Sequence, residues 1–107
     1  MTIVYDLYGA ETSCLLSARS DVERALGEIF EERDSSYQGG IYYMWGGSDA
    51  ENFVLKVNID TFDGDPVEQN YSCYKILLYI NATNRSSAIE EAISQAGGFK
   101  LLRHEVF

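Results

Sequence analysis

The residues able to do chemistry are few and badly placed for it. His104 is the only histidine and stands between Arg103 and Glu105. A lone imidazole needs a nucleophile and an orienting group to act as a general base, or further ligands to hold a metal, and no neighbouring motif supplies them. Cys14 and Cys73 are distant in sequence and form no C-x-x-C pair. They read as buried free thiols, with a disulfide as the lesser reading. Asp60, Asp63, Asp65 and Glu68 are spaced closely enough to suggest a calcium loop. The calcium-loop pattern D-x-[DN]-x-[DN]-G fails, however, because Phe62 and Gly64 fall where the second and third ligands belong. A solvated acidic loop is the simpler account. The glycine pairs at 39–40, 46–47 and 97–98 match neither phosphate-binding pattern and suit turns and caps. No serine lies in a G-x-S-x-G setting. Nothing selects a catalytic pair among the seventeen acids. No catalytic residue, metal site or cofactor is expected, and the chain does not read as an enzyme.

Charge says more. The net charge is −9 over 107 residues. Residues 1–68 hold fourteen acids and four bases, whereas residues 69–107 hold three acids and four bases. Phosphate would be repelled by the acidic part, which argues against nucleic acid or an anionic membrane as a direct partner. The acidity either keeps the chain soluble or steers it towards a basic protein. The start, MTIVYDLYGAE, has no basic lead and no long apolar run, so neither a secretory signal nor a membrane span is expected, and the cytoplasm is the expected location.

Elements able to position such a surface can be traced along the chain. Residues 2–8, TIVYDLY, are β-branched and aromatic enough for a strand. Ser20-Asp-Val-Glu23 resembles a capping box opening a helix, with Val22, Ala25, Leu26, Ile29 and Phe30 on one apolar stripe and an end near Asp34. Ile41–Trp45 and Asn52–Asp60 read as two strands joined by a Gly46-Gly47-Ser48-Asp49 turn. In the latter, Phe53, Leu55, Val57 and Ile59 alternate with Val54, Lys56, Asn58 and Asp60. Residues 72–81 alternate again. Ser87-Ala-Ile-Glu90 is a second capping box, leading Ile89, Ala92, Ile93 and Ala96 to a Gly97 cap. Phe99–Val106 is the last strand. The expectation is a single α+β domain over residues 1–107, ordered β-α-β-β-β-α-β, with two helices packed on one face of a mainly antiparallel five-stranded sheet.

That leaves one sheet face without helices. In the stretch GGIYYMWGG, residues 39–47, either Ile41, Tyr43 and Trp45 or Tyr42 and Met44 must lie on it, beside Val54, Leu77 and Tyr79. An uncovered aromatic patch marks a partner surface, a dimer interface, or a face closed by the protein's own loops. For a partner surface, the expected contacts are Tyr42, Tyr43 and Trp45, with acids Asp49, Glu51, Asp60, Asp63 and Asp65 beside them. The helix acids Glu28, Glu31 and Glu32 are the second choice.

The aromatic strand GGIYYMWGG, the acidic segment SDAENFVLKVNIDTFDGD and the small α+β pattern together resemble a bacterial immunity protein. This is the antidote half of a toxin–immunity pair, of the contact-dependent growth inhibition or polymorphic toxin type. The resemblance implies a cytoplasmic antitoxin bound tightly to a cognate toxin domain, with a basic nuclease as the expected kind; no direct nucleic-acid or membrane contact is expected, and a free monomer is expected ahead of a homodimer. A phage-encoded inhibitor of a host defence complex, of the anti-CRISPR type, and a homodimeric structural or regulatory domain stay open beside it.

Overall fold

Period-two alternation produces the centre of this fold. The computed structural model describes residues 3–12, 14–35, 40–47, 49–59 and 64–107. Its strands are β1 (Val4–Ala10), β2 (Glu31–Ser35), β3 (Gly40–Gly46), β4 (Asn52–Val57), β5 (Ile76–Thr83) and β6 (Phe99–Val106). Helix α1 spans Leu15–Leu26 and α2 spans Ser86–Ala96, and a 3-10 turn covers Gln69–Tyr71. The strands form one antiparallel sheet in the order β2-β3-β4-β5-β1-β6. The α+β class is as expected. The sheet has six strands rather than five, and the additional one is β2.

Strand β2 reads EERDS and has no apolar alternation to announce it. It exists because β3 offers a ladder, from Glu31↔Met44 to Ser35↔Gly40. The helix expected to run as far as Asp34 therefore stops at Leu26. Gly27 takes φ 69°, a conformation costly for other residues, and its N–H donates to the Glu23 carbonyl at 2.9 Å. Of the expected stripe, Val22 is buried on the helix and Phe30 is buried as the chain enters β2, while Ile29 is 78% exposed.

Neither capping box forms. Helix α1 begins after Cys14, so Ser20 and Glu23 lie inside it. The Glu23 carboxylate instead accepts from the Phe30 N–H at 2.7 Å and from Arg19 Nε at 3.2 Å, tying down the chain that leaves the helix. Helix α2 begins at Ser86, whose hydroxyl donates to Asp6 Oδ2 at 2.6 Å. Both cysteines are free and exposed, which corrects the expectation of buried thiols.

Both helices cover the same sheet face. Ala18 and Val22 of α1, with Ile89 and Ile93 of α2, pack against Tyr8, Tyr43, Phe53, Leu55, Ile76, Leu78 and Ile80. Burying each of the large aliphatic or aromatic side chains contributes about 1.5–3 kcal/mol, so this single layer dominates the stability. Among the described residues, no helix is long and apolar enough to cross a membrane.

Candidate functional site

Cross-strand register decides what the helix-free face presents. Directly paired residues share a face, so Glu31, Met44, Val54, Tyr79, Leu7 and Arg103 form one row across all six strands. Asn52 and Asn81 pair in an adjoining row, as do Tyr5 and Glu105.

Half of this face is closed by the protein's own chain. Asn58 is 5% exposed and works as a clasp. Its amide Nδ2 donates to the carbonyls of Tyr71 (3.2 Å) and Tyr74 (2.9 Å), and its Oδ1 accepts from the Glu68 N–H at 2.9 Å. The Tyr71 hydroxyl reaches the Leu102 carbonyl at 3.0 Å. Gly9 lets this segment settle: a Cβ there would meet Leu102 Cδ1 at 2.7 Å and the Tyr74 ring at 2.8 Å. Beneath the segment, Leu7 and Leu77 are fully buried.

The other half stays open. A groove of about 550 Å³ runs between Ile3, Tyr5, Tyr79, Asn81, Arg103, Glu105 and Phe107. A second depression of about 480 Å³ adjoins it at Tyr5 and Asn81 and continues past Val54 and Asn52 to Met44 and Asp49. Tyr5 and Phe107 meet edge to face at 5.3 Å, and Phe107 is 72% exposed. At the boundary with the covered half, the Tyr79 hydroxyl donates to Glu68 Oε2 at 2.7 Å. Burial, then this carboxylate, pushes the Tyr79 phenol well above its ordinary range. Arg103 donates to Glu68 Oε1 and lies against Glu105, both at 3.2 Å.

The residues expected to bind a partner are divided by this geometry. Tyr43 and Trp45 point to the helix side. Tyr43 is 2% exposed, lies under the Arg19 guanidinium at 4.6 Å and donates its hydroxyl to Glu32. Trp45 stacks on Phe53 at 4.7 Å. Glu51 also turns inward, accepting from the Thr83 hydroxyl at 2.6 Å and from Arg85 at 2.8 and 2.9 Å. The Arg85 hydrogen bonds hold the Glu51 carboxyl below the usual carboxylate range, with help from Thr83. Tyr42 and Met44 share the helix-free face, and Asp49 lines the depression that adjoins the groove. Asp65 is exposed, before the 3-10 turn. Asp60 and Asp63 lie outside the described residues.

Comparison with known protein families and with curated protein sequences finds no match. The surface must therefore be interpreted from its own chemistry.

His104 illustrates that chemistry. Its Nδ1 lies 2.6 Å from Asp6 Oδ1, and the Ser86 hydroxyl donates to the other oxygen of the same carboxylate. Serine and imidazole both converge on Asp6, so the imidazole is not placed to take the serine proton as a nucleophile relay requires. The buried carboxylate instead joins β1, β6 and the first turn of α2. Among the described residues, no group of three or more His, Cys, Asp or Glu side chains is arranged to hold a metal ion.

Charge completes the description. Each of the five arginines is engaged within the chain: Arg19 with Glu23, Arg24 with Asp21, Arg33 with Glu31, Arg85 with Glu51, and Arg103 with Glu68 and Glu105. Asp49, Glu90 and Glu91 are exposed and form no ion pair among the described residues. Sequence inspection misses Tyr5, Arg103, Glu105 and Phe107 as groove residues. The signal for Tyr5 was its alternation with Asp6 and Tyr8, but the last strand changes parity within itself.

Proposed function

We propose that this protein is an immunity-type antidote that binds and neutralises a cognate toxin domain, and that its contact surface is the open groove on the helix-free face. The observation that carries the reading is an aromatic groove, with Tyr5 and Phe107 at its wall and Asp49 and Glu105 beside them, on a chain of net charge −9. Tyrosine and phenylalanine in a water-accessible groove supply anchors, and surrounding carboxylates accelerate encounter with a positive surface. A basic protein domain is the matching partner. Nucleases are basic because they hold phosphate, so a nuclease toxin fits best. The antidote acts by occupancy in the cytoplasm, without catalysis, cofactor, nucleic acid or membrane.

The test begins with tagged protein used at low salt to capture its partner, which is identified by mass spectrometry, purified and assayed for nuclease activity. The expected result is a basic domain whose activity falls to zero at one equivalent of antidote. Phe107→Ala weakens that inhibition about thirtyfold, the effect of losing a hot-spot anchor worth about 2 kcal/mol. A partner whose activity is unchanged by saturating protein, or binding that Phe107→Ala and Asp49→Lys leave within twofold, overturns the reading.

A further inference from the structure

Strand β6 ends the sheet: it pairs with β1, and among the described residues no strand lies on its outer side. The direction of its backbone groups follows from the ladder. Ile3 and Phe107 exchange both backbone hydrogen bonds, at 3.2 and 2.8 Å. Bonded and non-bonded pairs alternate along antiparallel strands, so Glu105 and Arg103 also face β1, while Val106 and His104 face outward. The register then shifts: Leu7 pairs with Arg103, but Tyr8 pairs with Leu101, leaving Leu102 as an extra residue. Beyond that bulge, Leu101 and Phe99 face outward. The far end confirms the count. Lys75 N–H donates to the Ala10 carbonyl at 2.9 Å, so Ala10 is turned to β5 and its β6 neighbour, Phe99, is left facing away.

The outward residues are therefore 99, 101, 104 and 106, separated by two, three and two positions. That spacing is the same from either end. A regular strand would match its own copy in several registers. This one matches over its whole length in a single register, with Phe99 opposite Val106 of the second copy and Leu101 opposite His104. The faces agree as well. Phe99, Leu101, His104 and Val106 oppose Ala10, Tyr8, Asp6 and Val4 on the helix side, whereas Lys100 and Glu105 oppose Gly9 and Tyr5 on the helix-free side. The same register places exposed Lys100 opposite exposed Glu105, and Phe99 opposite Val106, which is 55% exposed. Each pair occurs twice by symmetry. The other sheet edge, β2, is short and acidic, features that block edge pairing.

We propose that two copies of this chain pair antiparallel through β6, about a two-fold axis between Leu102 and Arg103. This dimer replaces the free monomer expected from the sequence. Edge pairing extends the sheet without stacking anything on it, so the groove stays open and the inference does not depend on the antidote reading.

Sedimentation equilibrium of the purified chain over a wide concentration range tests it. The expected species is a dimer of twice 12.0 kDa. Lys100→Glu sets like charges opposite each other at both symmetric positions and raises the dissociation constant about tenfold. The charge swap, Lys100→Glu with Glu105→Lys, restores the dimer. Val106→Pro removes an outward N–H without touching the bonds to β1 and gives a monomer, with circular dichroism confirming that it stays folded. A monomer at every concentration, a dimer indifferent to Lys100→Glu and Val106→Pro, or open-ended chains of many copies overturns the proposal.

Discussion

Replacing Tyr43 with alanine separates a core residue from a binding anchor. The ring is 2% exposed, belongs to the layer beneath the helices and carries the Arg19 guanidinium at 4.6 Å. Truncating a buried aromatic ring costs about 3–5 kcal/mol, and the lost cation–π contact belongs at the lower end of its range of about 0.5–2 kcal/mol because Arg19 is part-exposed. The expected destabilisation is therefore about 4 kcal/mol. That is a large share of the roughly 5–15 kcal/mol available to a domain of this size. Urea unfolding followed by fluorescence of Trp45 reads it directly: the midpoint falls and the denaturant slope stays constant. Tyr43→Phe keeps the ring and loses only a 3.3 Å hydrogen bond to Glu32, so it costs about 1 kcal/mol or less. A loss below about 1 kcal/mol for Tyr43→Ala would refute the placement of this side chain in the core and return the aromatic strand to the list of binding anchors.

Two further outcomes follow from described contacts. Asn58→Ala removes three hydrogen bonds that hold residues 68–74 over the sheet. It should cost about 2–3 kcal/mol and raise amide exchange in that segment before the rest of the sheet, measurable by mass spectrometry. Glu51, whose carboxyl is held below its ordinary range by Arg85, stabilises the fold at neutral pH. Its unfolded form binds a proton first as pH falls, so this contribution shrinks below the usual carboxylate range. Glu51→Gln should therefore flatten the acid limb of a stability–pH curve, and an unchanged limb would contradict it.

Much of the architecture could be read from alternation because burial on one face leaves a period-two imprint. Phe53, Leu55 and Val57, and Ile76, Leu78 and Ile80, all lie on the side the sequence indicated. Strand β2 could not be read, since its ladder is made by backbone groups and four of its five residues, Glu31 to Asp34, are charged whichever way they turn. The capping boxes misled for a related reason: helix α1 already starts at Leu15, Glu23 uses its carboxylate on the Phe30 N–H, and Ser86, just before the second box, bonds Asp6, a partner eighty residues away that no local pattern registers. The aromatic strand showed two possible faces, and only its pairing with β4 selected between them. At the groove, the bulge at Leu102 shifts the parity of the last strand, which hid Glu105 and Arg103 from any simple count.

The position of β1 also has a consequence for how the protein is made. Strand β1 lies between β5 and β6, the last two strands among the described residues. During synthesis it emerges well before either neighbour, and its hydrogen-bonding edges wait until residues 76–106 have followed it. Long-range pairings of this kind close late and slowly. The sheet can be completed only after residue 99 and its successors leave the ribosome, so truncation before β6 yields a chain with an unpaired, apolar strand at its edge. Such a product is a substrate for aggregation and proteolysis rather than a smaller version of the protein.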